Sequence, residues 1–192
     1  MFSAFALPLI GAPLLLLPVH FVWLEVIVHP TSSLVFEADA GVADLMQRPP
    51  RRPDTDLLPR DAFLRAMADG GVLAVAVLAF YLYLLSNGLT LGVARGESIA
   101  AMIVGQTVLI LLERRPGTFL WRSAAGAGVI LPVIVAITLG GLWVALHVPA
   151  IAAVLQVAPL SAAGWGAAIA VGIASTIWRE PFKALKVLRP SR

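Results

Sequence analysis

Glu25 and His29, in the run Trp23-Leu24-Glu25-Val26-Ile27-Val28-His29-Pro30, are the residues here whose type and spacing could do chemistry. Four apart, they fall on one face of a helix. Their surroundings are apolar, and a carboxylate near the centre of a bilayer costs on the order of 3 kcal/mol, whereas each neighbouring Leu, Ile, Val or Phe offsets only about 0.3 to 0.6 kcal/mol. An ionisable group kept at that cost marks an ion path by default. Pro30 adds to the case, because it has no N–H to offer the Val26 carbonyl four residues back. A freed carbonyl beside a carboxylate is the kind of oxygen pair that holds a hard cation where a transport helix is interrupted. The same spacing also suits a bland outcome, in which Glu25 and His29 pair with each other or with a neighbouring helix and Pro30 only kinks the chain. Gln106, in Ile103-Val104-Gly105-Gln106-Thr107-Val108, is the other mid-span polar group and a weaker cation ligand, since intramembrane amides more often join helices. His20 and His147 sit near the ends of apolar runs and read as interfacial. Gly126, Gly128, Gly140, Gly141, Gly164, Gly166 and Gly172, mixed with Ala and Ser, suit close helix packing.

The chemistry that is missing narrows the reading. There is no glycine-rich loop followed by Lys and Ser or Thr, no His-Glu-x-x-His and no serine elbow, so nothing in this chain is equipped to hydrolyse ATP and no cofactor is expected in it. Cysteine is absent, which excludes disulfides and thiolate metal sites. The basic pI near 10.0 accompanies a net charge of only +3, and the basic residues flank apolar runs as membrane-bordering arginines do, so nucleic acid is not the partner.

The elements that must position Glu25, His29 and Gln106 follow from hydropathy. Of 192 residues, 59% are hydrophobic and 13% charged, with a mean hydropathy of +0.91, and the charges are bunched between long apolar runs. That is an all-α chain solvated by lipid. The expected organisation is one transmembrane domain over residues 1–192: a partial N-terminal helix at 1–12, then about five full spans at 13–37, 66–86, 97–113, 124–147 and 162–179. A proline-rich loop at 38–65 and a basic tail at 180–192 complete it. Met1 to Leu17 lacks a basic start and runs on past His20, so it reads as membrane structure and not as a cleaved address. Pro8, Gly11, Pro13 and Pro18 predict a break near Gly11-Ala12-Pro13. All of the 14 lysines and arginines except Arg95 lie in the loop at 38–65, in the loop at 113–123, or from Arg179 through the tail. The positive-inside rule therefore places those segments, the C-terminus included, in the cytoplasm, and the loops at 87–97 and 148–161 outside. The tail, with Trp178, Phe182, Leu185 and Leu188 opposite Arg179, Lys183 and Lys186, is expected to lie along the inner surface. In this orientation residues 1–12 form a half-span with nothing below it, which lipid would not tolerate, so the chain reads as a fragment.

Pro13-Leu14-Leu15-Leu16-Leu17-Pro18-Val19-His20-Phe21-Val22-Trp23-Leu24-Glu25, then Phe36-Glu37, then Asp44-Leu45-Met46-Gln47-Arg48-Pro49-Pro50-Arg51, resembles the C-terminal region of cation-transporting P-type ATPases. In that family a membrane helix leads into a loop with Met, two variable residues and Pro-Pro-Arg, and four more spans follow; Leu111-Leu112-Glu113-Arg114-Arg115 fits the same layout. The resemblance implies that residues 1–12 end the family's fifth membrane helix and that the later spans are its sixth to tenth. It implies that Glu25, Val28 and His29 fall on the sixth helix's cation-ligand pattern, Asn-x-x-Thr-Asp. Val28 and His29 then stand where two oxygen ligands would be, so a proton, or a cation held by Glu25 and backbone carbonyls, stands beside calcium-type coordination. The implied function is the cation-translocating part of a pump, with the bilayer, the transported cation and the remaining pump domains as partners. ATP and Mg would act in the complete pump, and the location would be a bacterial inner membrane. Two other readings stay open: a self-standing accessory or assembly subunit, and an ion-coupled secondary transporter with Glu25 and His29 as a proton relay.

Overall fold

The computed structural model of this chain describes Leu7 and residues 11–37, 60–114, 130–178 and 180. Most of the proline-rich loop, residues 115–129 with Gly126 and Gly128, and the tail from 181 lie outside the described residues. Among the described residues all regular structure is helical: α1 Pro18–Glu37, α2 Arg60–Ser86, α3 Leu91–Arg114, α4 Ile130–His147, α5 Pro149–Leu155 and α6 Ala162–Ile177. Two of these, α2 and α3, are each long and apolar enough to cross a membrane, and a third crossing is available if α4 and α5 are one span bent by 89°. The α6 helix is apolar but only 16 residues long. Of the five full spans expected, two or three thus meet the test of length and composition among the described residues.

The helix ends explain where the boundaries depart from the hydropathy reading. At the close of α2, Gly88 takes φ +76°, Leu89 N–H donates to the Leu84 carbonyl at 3.2 Å and Gly88 N–H to that of Leu85 at 3.0 Å. These two bonds form a Schellman stop, which satisfies carbonyls the helix leaves orphaned and turns the chain at once. Consequently α3 starts at Leu91, ahead of the apolar run at 97, and takes Arg95 and Glu97 into the helix. At the other end of the chain, Gly11 lies at φ +71° and Ala12 N–H donates to the Leu7 carbonyl at 3.0 Å. The break falls where the prolines and glycine predict it, but α1 resumes only at Pro18, not at 13. It then continues through Pro30 to Glu37 without interruption. Within the segment assigned to an outer loop, Val148 is extended and Pro149 opens α5, as a proline that needs no N–H donor can.

The centre of the bundle is α3. Every residue from Ala94 to Ala101 is buried, so this stretch is enclosed on all faces. The α6 helix packs most extensively along it, α2 returns beside it as the other arm of the hairpin, and α1 lies mainly against α4. Close approach depends on small residues: a Cβ on Gly172 would stand 2.7 Å from the Ala101 carbonyl, and one on Gly105 would collide with Leu73. Gly140 and Gly166, which share the same composition, face open space.

Candidate functional site

Residues 12–17 run between helices without helical bonds of their own, yet Leu15 is buried. Backbone carbonyls in such a segment must find donors, because nothing in lipid can replace them. Two side chains from the α2–α3 hairpin supply them. Tyr81 Oη–H donates to the Pro13 carbonyl at 2.9 Å. Arg95 Nε–H donates to the Leu14 carbonyl at 3.0 Å, and its Nη1–H to Gln156 Oε1 at 2.9 Å. Arg95 is 5% exposed and Tyr81 wholly buried. The buried guanidinium thus has the polar surroundings it requires, supplied by neutral oxygens.

His20 completes the arrangement from α1. Its Nδ1 accepts from Leu17 N–H at 2.9 Å, and its Nε2 meets the Leu155 carbonyl at 2.6 Å. Since a carbonyl only accepts, Nε2 carries the proton and the ring is neutral. The first bond is half of a capping box, with histidine in the place of the third-position glutamate. The second ties α1 to the end of α5. Beyond it Gln156 stands at φ 50°, ψ 43°, left-handed geometry that costs about 1 to 2 kcal/mol for a residue with a Cβ. A glycine would avoid that strain, but Arg95 would lose its amide partner. The tight angle is therefore the cost of presenting Oε1.

The residues singled out from the sequence occupy a different place. Glu25 is exposed on α1, flanked by Val22 and Val26, which are 64% and 67% exposed. Phe21 and Ser33 are exposed on the same helix. The His29 side chain lies outside the described residues. Val26 has no amide four residues on to receive its carbonyl, since that residue is Pro30. Gln106 on α3 is half-buried, and its Oε1 is buried without a hydrogen-bond partner. Among the described residues no three His, Asp or Glu side chains come together as metal ligands. Glu25 is at most one part of a cation site.

Sequence reasoning passed over the best-connected polar residues. Hydropathy assigns Arg95 to a loop and His20 to an interface, and Tyr81 falls inside the expected span 66–86 without being singled out. Two signals were nevertheless present: Arg95 is the one basic residue on its side, and Leu17-Pro18-Val19-His20 has capping-box spacing. Also passed over were Glu97, 4% exposed in the middle of the enclosed stretch of α3, and Asp69, 3% exposed on α2. His147 is bonded locally, through Nδ1 to the Trp143 carbonyl at 2.9 Å, and stacks on the Trp143 ring.

All-helical packing, helices fit to cross a bilayer and ionisable side chains held between them define an integral membrane module. The chain belongs to the cation transporting ATPase C-terminus family, whose model matches residues 13–185. Among curated proteins it is similar to the probable cation-transporting ATPase F of Mycobacterium bovis and of Mycobacterium tuberculosis, 24% identical in each case over 168 residues. That match takes in 88% of this chain and 19% of the relatives, so the chain spans about a fifth of their length.

Proposed function

We propose that this chain is the cation-translocating C-terminal membrane part of a P-type ATPase pump. About five full spans follow a partial N-terminal helix, and the C-terminus and the proline-rich loop lie in the cytoplasm of a bacterial cell whose inner membrane holds the protein. ATP hydrolysis, with Mg, takes place in domains of the complete pump that this chain does not contain. Glu25 is a cation ligand, joined by the Val26 carbonyl and by His29, with Gln106 a weaker contributor. The observation that carries this reading is the position of Glu25: exposed on α1, within the residues matched by the family model, in a chain one fifth as long as its relatives. An acid at that place is half of a site, and its other ligands come from the rest of the pump's membrane domain.

The test is Glu25→Gln in the full-length pump. Cation-stimulated ATPase activity is expected to be lost or to change its cation preference, while expression and membrane insertion stay near wild type. An unaltered cation dependence removes Glu25 from the site. Since a neutral amide of the same shape keeps the packing, a loss of activity without loss of insertion points to the charge itself.

A further inference from the structure

Glu97 presents a different problem from Glu25, for it is buried. It sits in the enclosed stretch of α3 with 4% of its surface exposed, and its carboxyl fills the slot left by the missing side chain of Gly164 in the first turn of α6. A Cβ on Gly164 would collide with Glu97 Oε1 and stand 2.9 Å from its Cδ. Its sequence neighbour Gly96 is closed in by Leu160 and Leu146, 2.9 and 3.2 Å from where a Cβ would be. Ser98, fully buried beside it, has an Oγ with no hydrogen-bond partner. Among the described residues neither a hydrogen bond nor an ion pair reaches the Glu97 carboxyl.

The ionisable groups nearby are committed elsewhere. Arg95, on the same helix, donates to Leu14 and Gln156; Tyr81 on α2 donates to Pro13; His20 on α1 donates to Leu155; His147 on α4 is bonded to Trp143. Tyr83 on α2 is exposed, while Asp69 on α2 and Glu25 on α1 are themselves acids and supply no positive charge. Neither α5 nor α6 contains a titratable side chain. The positive end of α6 would favour a carboxylate by about 0.3 to 1 kcal/mol, or up to ~2 kcal/mol where partly buried. Taking an ion out of water without a partner costs several kcal/mol. Desolvation wins, and a carboxyl in that position relieves it by taking up a proton.

We propose that Glu97 is a proton-binding site, an uncharged carboxyl held in the Gly164 slot between α3 and α6 at the end of the bundle that carries the α2–α3 turn. It lies on α3 and not on the α1 face that carries Glu25. The proposal requires the chain to lie in a bilayer; it does not require the chain to belong to a pump.

The experiment is infrared spectroscopy of the chain in liposomes, titrated from mildly acidic to alkaline buffer. A carbonyl stretch of a protonated carboxyl is expected at neutral pH, lost in Glu97→Gln and retained in Glu25→Gln. Absence of that band from the wild type at neutral pH, or an undiminished band when Glu97→Gln is added to an Asp69→Asn background that removes the other buried acid among the described residues, overturns the proposal. If Glu97→Gln fails to fold, Glu97→Met serves in its place, since an apolar side chain of similar length suits a slot that holds a neutral group. A melting temperature for Glu97→Met far below wild type would mean that the slot needs the ion. Failure of the pump reading appears separately, in the cation dependence of Glu25→Gln.

Discussion

Removing the Arg95 guanidinium would strand the Leu14 carbonyl and Gln156 Oε1, which its donors reach at 3.0 and 2.9 Å. A buried acceptor left without a partner costs about 1 to 3 kcal/mol. Arg95→Met is therefore expected to lower the thermal stability of the detergent-solubilised chain, and Tyr81→Phe, which strands only the Pro13 carbonyl, should lower it less. Melting curves read by fluorescence-detected size exclusion order the two, and equal melting of both variants with wild type would remove the clamp from the account. Gln106→Leu has the opposite expectation. Its Oε1 is already buried without a partner, so the apolar side chain should leave stability unchanged or raise it. If that variant keeps its stability but alters cation affinity in the full-length pump, Gln106 is a ligand and not a packing residue. The sequence draws attention to a polar group where it interrupts an apolar run, as Glu25 and Gln106 do. Arg95, Glu97 and His20 did not stand out in this way, because partners 61 to 135 residues distant in the chain decide what the first and last of these do.

Helix packing separates glycines that composition treats alike. In the α3–α6 interface a Cβ on Gly172 would meet the Ala101 carbonyl at 2.7 Å and Val104 Cβ at 2.9 Å. Backbone cannot yield as a side-chain tip does, so Gly172→Ala must push two helices apart, at about 1 to 3 kcal/mol. Gly105→Ala meets the end of the Leu73 side chain, which can rotate, and should be milder. Gly140→Ala and Gly166→Ala, with nothing within 4 Å, should be neutral or slightly stabilising. Melting of the four variants in this chain alone tests the ranking, and the packing account fails if Gly172→Ala and Gly166→Ala behave alike. Hydropathy located these helices because an apolar run is a property of the segment itself. It misplaced the start of α3 and left α5 unread, because Gly88 and the Val148-Pro149 step are short-range stop and start signals inside segments too polar or too short to register. The break after Gly11 was legible for the opposite reason: proline and glycine act on the backbone whatever surrounds them.

The whole molecule has a polarity that its side chains report twice. The α2–α3 turn, the break at residues 12–17 and the α5–α6 connection gather at one end, held together by Tyr81, Arg95 and His20. Among the described residues that end carries Arg95 and buries it, whereas Arg60, Arg65 and Arg114 lie at the opposite ends of α2 and α3. Positive charge is retained on the cytoplasmic side during insertion, so the clamped end should face outward. The absence of cysteine makes the test clean. Asn87→Cys places a thiol on an exposed residue of the α2–α3 turn. Asp61→Cys places one at the exposed start of α2, at the expense of a surface ion pair with Arg65 that contributes about 0 to 1 kcal/mol. A membrane-impermeant maleimide added to intact cells is expected to label the first, and to label the second only after permeabilisation. The reverse pattern would put Arg60, Arg65 and Arg114 on the outer side and the Glu97 slot at the cytoplasmic end. Protons would then have to enter that slot from the cell interior.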